Sequence, residues 1–311
     1  MSDAIIKVRA ALGGVSGVPV TPYLADGSVD AAGLAALIGR LSRNGVHNLM
    51  AAGNTGEFFA LSLEEIRQVH AVTIEAAKAG TSIVSAAVGR SLVEAKALAR
   101  DAISAGADAI MGHHPMDPFA APSAQARYFL ELAETSTVPV IAYVRSDTFS
   151  VGDFKLLAGH ANIAGIKFAS SNLMLLAEAI RATSDLPAIW VCGLAEGWAP
   201  AFYAMGARGF TSGLVNIFPG LSLSILAALE AGDYSKARAL IAPIAGFEIL
   251  RTKYLNGANV TVVKEALAIL GQPVGPVRTP GMEALSDDER ASLREILARV
   301  EATLPGARGQ L

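Results

Sequence analysis

The sequence predicts an α/β protein in which eight parallel strands close into a (β/α)8 barrel with an appended C-terminal helical layer. Three observations favour this fold: eight short apolar runs, helical patterns between them, and the loss of the strand pattern after about residue 221. The runs begin roughly 20 to 35 residues apart, which is the length of one βα unit. One barrel accounts for all 311 residues, because α/β barrels commonly exceed about 250 residues.

The alternative is an open, doubly wound sheet. The first βα turn of that fold usually carries a G-x-G-x-x-G pattern, and this chain has none there. The strand pattern also stops at eight, which is the number that a closed barrel needs. The closed barrel is therefore the preferred prediction.

The predicted strands are β-branched or otherwise apolar runs, at Val18–Tyr23, Asn48–Gly53, Ser82–Val88, Ala109–His114, Val138–Val144, Ile163–Ala169, Ala188–Gly193 and Gly209–Leu214. Helices are predicted between them wherever Ala, Leu, Glu and Arg recur with helical spacing, as in Ala31–Ser42, Leu63–Ala79 and Leu92–Ser104. Ser62 and Glu65 form a capping-box pattern that marks one helix start. A glycine that supplies the left-handed conformation of a helix end is predicted at Gly45, Gly80, Gly106 and Gly206.

The remaining chain reads as helices only, at Leu223–Ala231, Tyr234–Tyr254, Val260–Leu270 and Asp287–Leu304. A second capping-box pattern, Ser286 with Glu289, marks the start of the last helix, and Gly271–Gly281 is a loop rich in proline and glycine. We therefore divide the chain into a barrel over residues 1–220 and a C-terminal helical region over residues 221–311.

Charge and cysteine content exclude several classes of protein. The 25 Lys and Arg residues are balanced by 28 Asp and Glu, so the net charge of −3 provides no basic surface for nucleic acid. Cys192 is the only cysteine, which excludes a disulfide framework and a cysteine-based zinc site. No window of about 18 apolar residues predicts a membrane span, and Met1–Gly13 lacks the apolar core of a signal peptide. We expect a soluble cytoplasmic protein that binds neither nucleic acid nor membrane.

Lys167 is the first candidate for chemistry, because it is the only charge in the predicted strand Ile163–Ala169. Side chains alternate along a strand, so Gly165, Lys167 and Ala169 share one face, and the small residues leave the lysine room inside the barrel. A lysine that is desolvated there has a lowered pKa, which makes its amine a nucleophile toward a carbonyl. The alternative is a lysine that extends to the barrel mouth or pairs with a carboxylate.

Tyr143 and Arg145 lie on one face of the preceding predicted strand and at its carboxyl end, where barrels of this type place their chemistry. A tyrosine can relay a proton when its hydroxyl reaches the reacting group, and a fixed arginine suits recognition of a carboxylate. The alternatives are that Tyr143 is a core residue and that Arg145 pairs with Asp147 or with another subunit and contacts no substrate.

The third candidate is the turn Gly53-Asn-Thr-Gly-Glu57 at the end of the second predicted strand. Its two glycines let backbone N–H groups converge on an anion, with help from the Thr55 hydroxyl. Glu57 suits a structural role as well as a catalytic one.

Metal and nucleotide cofactors have no support in the sequence. His113 and His114 are adjacent, so on a strand they point to opposite faces and cannot hold one metal together. The chain has no H-E-x-x-H, Walker A or nucleophile-elbow motif. We expect no metal and no cofactor.

In this order the three candidates resemble the dihydrodipicolinate synthase/N-acetylneuraminate lyase family of class I aldolases. Gly53–Glu57 is similar to the G-x-T-G-E motif of that family, Tyr143 to its strand-five tyrosine, and Gly165-Ile-Lys167 to its Schiff-base lysine. The resemblance extends over nearly the whole chain, from Pro19 to Arg278.

The resemblance implies a TIM-type barrel, usually a homotetramer or dimer, that acts on a small 2-oxo acid without metal or cofactor. It implies that Lys167 forms the imine and that Tyr143 shuttles protons. It also implies that Thr55 hydrogen-bonds in this relay and helps Asn54 to hold the substrate carboxylate. Together with the position of Arg145, it implies a set of substrate-binding residues: Gly53, Asn54, Arg145, Gly193, Thr211 and Ser212.

The chain also departs from the synthase pattern. Asn54 stands where the synthase usually has a threonine, and Phe168 follows the lysine where the synthase has a glutamate. The segment His113–Pro118 lacks the tyrosine that a neighbouring subunit usually contributes, and Val144–Asp147 replaces an Asn-x-Pro pattern.

Two segments, Gly53–Phe59 and Tyr143–Arg145, look closer to the branch that dehydrates 5-dehydro-4-deoxyglucarate, a sugar diacid. We therefore expect dehydration, with decarboxylation, of such an acid. The alternatives are 4-hydroxy-tetrahydrodipicolinate synthesis from pyruvate and aspartate semialdehyde, or another pyruvate-dependent aldol reaction. A protein that binds a 2-oxo acid without turnover is the remaining alternative, and intact Lys167, Tyr143 and Thr55 argue against it.

Overall fold

The computed structural model describes residues 2–309, and its centre is a closed barrel of eight parallel strands. The strands are β1 Val15–Gly17, β2 Asn48–Ala51, β3 Ile83–Val88, β4 Ala109–Gly112, β5 Val140–Val144, β6 Ile163–Phe168, β7 Ile189–Cys192 and β8 Phe210–Ser212. Each strand pairs in parallel with the next, and β1 pairs with β8 to close the ring. The predicted (β/α)8 barrel is confirmed.

One helix follows each strand and covers the outside of the barrel. These helices are α2 Ala31–Arg43, α3 Leu63–Ala77, α4 Leu92–Ala105, α5 Pro122–Thr135, α6 Val151–Gly159, α7 Leu173–Ala182, α8 Ala199–Met205 and α9 Pro219–Glu230. A helix that precedes them, α1 Asp3–Leu12, was not predicted. Its Leu12 is fully buried and approaches Gly165 of β6, where a Cβ would lie 2.9 Å from Leu12 Cδ1.

Four further helices form the C-terminal layer: α10 Tyr234–Ile241, α11 Ala245–Asn256, α12 Asn259–Ile269 and α13 Asp287–Thr303. The prediction of one helix over Tyr234–Tyr254 is wrong. A 3-10 turn at Ala242–Ile244 separates two helices there, because Pro243 has no N–H for the helical ladder and its ring clashes with the preceding turn. The predicted layer itself is confirmed.

The first strand lies three residues before its predicted position at Val18–Tyr23. Pro19 and Pro22 cannot donate to a ladder, and the N–H of Val20 donates to the Asn216 side chain at 3.0 Å instead of to a strand. The carboxyl end of β1 therefore continues as an irregular segment.

The left-handed conformation predicted at three helix ends is confirmed, because Gly45, Gly106 and Gly206 have positive φ angles. Gly80 is different: α3 ends earlier, and this glycine has no positive φ. A Cβ at Gly80 would lie 2.3 Å from the Ser42 carbonyl, so close approach to the neighbouring helix requires glycine there. Both predicted capping boxes, at Ser62 and Ser286, are formed.

The hydrophobic core is continuous between barrel and C-terminal layer. Because α9 follows β8 as each other barrel helix follows its strand, we propose that the barrel extends to residue 230. The division that was predicted after residue 220 would then lie after α9. Within residues 2–309, no helix is both long and apolar enough to cross a bilayer.

Candidate active site

A cavity of about 400 Å³ opens at the carboxyl ends of the strands. It contains the three predicted catalytic residues, Lys167, Tyr143 and Thr55. Four of the six predicted substrate-binding residues also line it: Asn54, Arg145, Gly193 and Thr211. The topology brings these residues together because the carboxyl ends of all the strands meet at one rim of a barrel.

Lys167 points into the barrel from β6 and is 3% exposed. Phe168, the next residue, packs outward against Phe154 and Trp190, so the predicted alternation is confirmed. The Lys167 Nζ lies 3.9 Å from the centroid of the Tyr143 ring and 3.8 Å from the Met50 sulfur. Within the described residues no carboxylate pairs with it, and the lysine neither extends to the barrel mouth nor forms a salt bridge.

Burial lowers the pKa of Lys167 from 10.5 to about 7, and the positive charge of Arg145 adds to this effect. A charged amine loses its hydration inside the barrel, so its neutral form is favoured. Burial therefore favours the neutral amine, which is the form that attacks a carbonyl.

Tyr143 lies beside the lysine, because β5 and β6 place the two residues in register. Its hydroxyl accepts a hydrogen bond from Asn54 Nδ2 at 3.1 Å, and burial raises its pKa. The phenol is therefore neutral, and its proton remains free to be donated. Thr55, for which a hydrogen bond in the proton relay was predicted, forms none with Tyr143; it accepts a hydrogen bond from Asn259 instead.

The turn after β2 is a short 3-10 turn, Asn54–Gly56, followed by Glu57 in the left-handed conformation. Most of its N–H groups are used internally: that of Gly53 donates to Met50, and that of Gly56 donates to Gly53. The N–H groups of Asn54 and Thr55 form no hydrogen bond within residues 2–309. Only these two are thus available to an anion.

Comparison with known proteins identifies the family of the chain. The profile of the Dihydrodipicolinate synthetase family matches residues 11–300. The chain belongs to this family. It is 30% identical to a 4-hydroxy-tetrahydrodipicolinate synthase of Methanoculleus marisnigri, over 89% of this chain and 96% of that protein. It is 32% identical to the Streptomyces coelicolor protein named "Probable 5-dehydro-4-deoxyglucarate dehydratase 2", over 88% of this chain and 84% of that protein.

Solved structures of the family are also similar. The crystal structure of dihydrodipicolinate synthase from Oceanobacillus iheyensis matches with a TM-score of 0.92 and 35% identity, over 97% of this chain and all of that chain. The crystal structure of the synthase from Bacillus clausii matches with a TM-score of 0.90 and 36% identity, over 94% of this chain and 98% of that chain. The chain is therefore a lyase of the dihydrodipicolinate synthetase family, similar to members with either of two activities.

Glu57, the last residue of the family motif, is fixed by the C-terminal layer. Its carboxylate pairs with Lys264 at 2.6 Å and accepts the backbone N–H of Arg278 at 2.8 Å. Both charged side chains of the pair are almost completely buried. These contacts occupy the carboxylate, so of the two roles open to Glu57 the structure supports the structural one.

Arg145 follows the last residue of β5 and is exposed at the cavity wall. Its guanidinium makes no hydrogen bond or ion pair with any described residue, so the alternative pairing with Asp147 is not formed. It remains available to an anionic ligand.

Two predicted substrate-binding residues do not line the cavity. The Ser212 hydroxyl turns away and donates to the buried Glu196 at 2.5 Å. Neighbouring residues on a strand face opposite sides, so Thr211 and Ser212 cannot both reach the ligand. Gly53 lies behind the wall, where a Cβ would approach Val18 Cγ1 to 2.5 Å.

The adjacent histidines lie outside the cavity lining. His113 packs against the rings of Phe58 and Tyr143, with centroids 4.3 and 5.6 Å away, and burial lowers its pKa to about 3. It is therefore a neutral support for the tyrosine. Within residues 2–309, no group of three or more His, Cys, Asp or Glu side chains could hold a metal.

The C-terminal layer adds several residues to the cavity lining that sequence reasoning missed; two of them, Arg251 and Asn259, are hydrogen-bonded to each other. Arg251 pairs with Glu248 at 2.8 Å, and both lie on the side of α11 that also buries Phe247 and Leu250. A charged pair on a buried helix face was the available signal. Asn259 gave no such signal, because its partner Thr55 lies 204 residues away in sequence.

Proposed function

We propose that this chain is a cytoplasmic Schiff-base lyase that dehydrates and decarboxylates a sugar diacid similar to 5-dehydro-4-deoxyglucarate. The observation that carries the imine chemistry is Lys167, a buried amine without a carboxylate partner, in contact with the Tyr143 ring. The choice of a diacid rests on Arg145, which lines the same cavity with no partner of its own.

Imine formation uses the two residues that β5 and β6 bring into register. The neutral Lys167 amine adds to the 2-oxo carbon, and the oxygen leaves as water once it has been protonated. Tyr143 is suited to donate that proton, because Asn54 fills an acceptor position of its hydroxyl and leaves the O–H free. The product is an iminium ion on the lysine.

The iminium ion then acts as an electron sink for the neighbouring carbons. Loss of a proton from the adjacent CH2 gives an enamine, which expels the hydroxyl group on the next carbon as water. Release of the far carboxylate as CO2 and hydrolysis of the imine free the lysine. A six-carbon 2-oxo diacid is thereby converted into one CO2, one water and a five-carbon 2-oxo acid that ends in an aldehyde.

Two anion-binding elements fit the two ends of such a substrate. The free N–H groups of Asn54 and Thr55 suit the carboxylate beside the oxo group, and Arg145 suits the far carboxylate. Arg251 and Arg278 also line the cavity, but Arg251 pairs with Glu248 and Arg278 pairs with Glu65. Arg145 is thus the cation that distinguishes a diacid from pyruvate.

The second candidate is 4-hydroxy-tetrahydrodipicolinate synthase, the activity in the name of the relative from Methanoculleus marisnigri. It would use the same imine with pyruvate, followed by addition to an aldehyde. The synthase reaction also offers Arg145 a carboxylate, that of aspartate semialdehyde. The preference for the diacid therefore rests in addition on the likeness of Gly53–Phe59 and Tyr143–Arg145 to the dehydratase branch.

Borohydride trapping tests the imine directly. The protein is reduced in the presence of pyruvate or 5-dehydro-4-deoxyglucarate, and the adduct is mapped by mass spectrometry. We expect a single modified residue, Lys167, and no adduct in Lys167→Ala. Lys155→Ala, which removes an exposed lysine, is the matched control and should be trapped like the parent. An adduct on another lysine, or none with either compound, would falsify the imine mechanism.

Turnover assays separate the two candidate reactions. We expect CO2 release from 5-dehydro-4-deoxyglucarate and little condensation of pyruvate with aspartate semialdehyde. Efficient condensation without CO2 release would replace the dehydratase with the synthase and leave the imine mechanism in place.

A further inference from the structure

The C-terminal layer reaches the active site through Asn259, the first residue of α12. Asn259 Nδ2 donates a hydrogen bond to Thr55 Oγ1 at 3.0 Å. Both residues line the cavity, and Thr55 is 6% exposed. The residue that the family motif contributes to the site is therefore oriented by a side chain from outside the barrel.

The orientation of the Asn259 amide is fixed by a second contact. Arg251 is buried, and its Nη1 donates to Asn259 Oδ1, while its Nη2 and Nε donate to Glu248 at 2.8 and 3.2 Å. An arginine has only donors, so it must face the oxygen of the amide. The NH2 group must then face Thr55.

This arrangement determines what the Thr55 hydroxyl can do. A hydroxyl has one donor and two acceptor positions, and Asn259 occupies an acceptor position. The Thr55 hydroxyl donates to no described residue. Its proton is therefore available to an acceptor in the cavity.

We propose that Asn259 is a positioning residue that makes the Thr55 hydroxyl a hydrogen-bond donor to the carboxylate beside the oxo group of the substrate. The hydrogen bonds that join Glu248, Arg251 and Asn259 fix the direction of the bond to Thr55, so that Asn259 donates and the Thr55 hydroxyl accepts. The inference rests on the proposed function, because the acceptor is the carboxylate of a 2-oxo acid bound at Lys167.

Asn259→Asp tests whether the donor group of Asn259 directs the Thr55 proton toward the cavity, with pyruvate as the probe. The aspartate keeps an oxygen for Arg251 but replaces the donor toward Thr55 with an acceptor, so the hydroxyl turns its proton away from the cavity. The pyruvate concentration that gives half-maximal borohydride trapping should rise about 10- to 100-fold, the range for a lost hydrogen bond to a charged group. Trapping at saturating pyruvate should stay within about threefold of the parent. A merely structural role would lower the trapped fraction instead and leave the half-maximal concentration unchanged.

Asn256→Asp is the matched control. It adds the same negative charge to an exposed position at the cavity wall, three residues earlier, and its side chain makes no hydrogen bond to Thr55. We expect a change of less than about threefold in the half-maximal concentration. If Asn256→Asp raised the half-maximal concentration as much as Asn259→Asp, both effects would be explained by repulsion of the pyruvate carboxylate. That result would overturn the proposal.

A double-mutant cycle tests whether Asn259 acts through Thr55. Asn259→Ala should raise the half-maximal concentration about tenfold in the parent and less than about twofold in Thr55→Val, because the partner is already gone. Equal effects in both backgrounds would overturn the proposal. If Asn259→Ala fails to fold, as judged by thermal unfolding, Asn259→Asp replaces it in the cycle.

The outcomes also separate this inference from the proposed function. Failure to trap the parent protein at Lys167 removes the imine and with it the basis of both proposals. Normal trapping of the parent, with an unchanged half-maximal concentration in Asn259→Asp, removes only the role of Asn259.

Discussion

At the scale of single residues, the reactivity that we propose for Lys167 is a consequence of its burial. No described carboxylate pairs with its charge: Lys167 Nζ contacts the Tyr143 ring and the Met50 sulfur. The same burial that yields a neutral amine also costs stability, because the folded protein holds a cation that prefers water.

The first prediction concerns this cost. Lys167→Met should be more stable than the parent by about 3–5 kcal/mol near pH 7, since each unit of pKa shift corresponds to about 1.4 kcal/mol. The pKa is lowered in the folded state, to about 7, so between about pH 7 and 10.5 the unfolded chain binds more protons. The stability of the parent therefore rises with pH across this window. Urea unfolding should show that the difference in free energy of unfolding between Lys167→Met and the parent is smaller at about pH 10 than at about pH 7. A difference that does not change with pH would contradict the lowered pKa of Lys167.

The second prediction concerns Tyr143. Tyr143→Phe keeps the ring against Lys167 but removes the hydroxyl, so ligand binding should persist while the chemical step slows about 10²- to 10⁴-fold. Single-turnover kinetics measure this step separately from product release. An unchanged rate would return the tyrosine to a packing role.

The third prediction concerns Arg145. Arg145→Ala should raise the KM for the diacid about 10- to 100-fold and change the half-maximal trapping concentration of pyruvate less than about threefold. Arg145→Lys is the matched control: it keeps the charge but loses the two-pronged geometry, so its effect on the diacid should be intermediate. Equal losses for diacid and pyruvate in Arg145→Ala would remove the assignment of a diacid substrate.

At the scale of elements, the C-terminal layer fixes the turn after β2. Lys264 of α12 pairs with Glu57, and Lys264 and Arg278 lie on the Tyr23 ring, each 4.1 Å from its centroid. Glu57 adopts a left-handed conformation, with φ of 62°, which is unfavourable for a residue with a side chain. Contacts from the layer therefore stabilise a backbone shape that presents the N–H groups of Asn54 and Thr55.

The fourth prediction tests this contact. Lys264→Met leaves the buried Glu57 carboxylate without its cation and should lower the free energy of unfolding by about 3–5 kcal/mol. The double variant Lys264→Met/Glu57→Gln removes the uncompensated charge and should recover part of that loss. Urea unfolding measures both. A single variant as stable as the parent would show that the pair does not fix the turn.

The elements that the sequence predicted well are those with strong local signals. Capping boxes at Ser62 and Ser286 marked two helix starts correctly, and Lys167 was recognisable as a single charge among apolar residues. The first strand failed because it has only three residues, Val15–Gly17, too few to show a period. The break at Pro243 was overlooked because the helical pattern continues on both sides of it.

At the scale of the whole molecule, the site residues that sequence reasoning found lie at strand ends, where the barrel topology brings them together. Two of those that it missed, Arg251 and Asn259, come from the C-terminal layer, whose placement on the barrel depends on packing that no local pattern encodes. Ser212 was misplaced for a related reason: which of two neighbouring residues faces the cavity depends on the exact position of a three-residue strand, β8.

The last prediction concerns assembly, which the family resemblance implies and which remains a prediction. Phe119 is 94% exposed, and Met116, in the same loop between β4 and α5, is 65% exposed. Large apolar side chains held in water are typical of surfaces that a partner covers.

We expect light scattering at micromolar concentration to give a multiple of the chain mass of 32.1 kDa, most simply four chains or two. Phe119→Glu should shift the protein toward smaller species, whereas Ser104→Glu, which adds the same charge at an exposed polar position on α4, should not. A parent protein with the mass of one chain would contradict the prediction. Equal dissociation of both variants would place the contact elsewhere than at this loop.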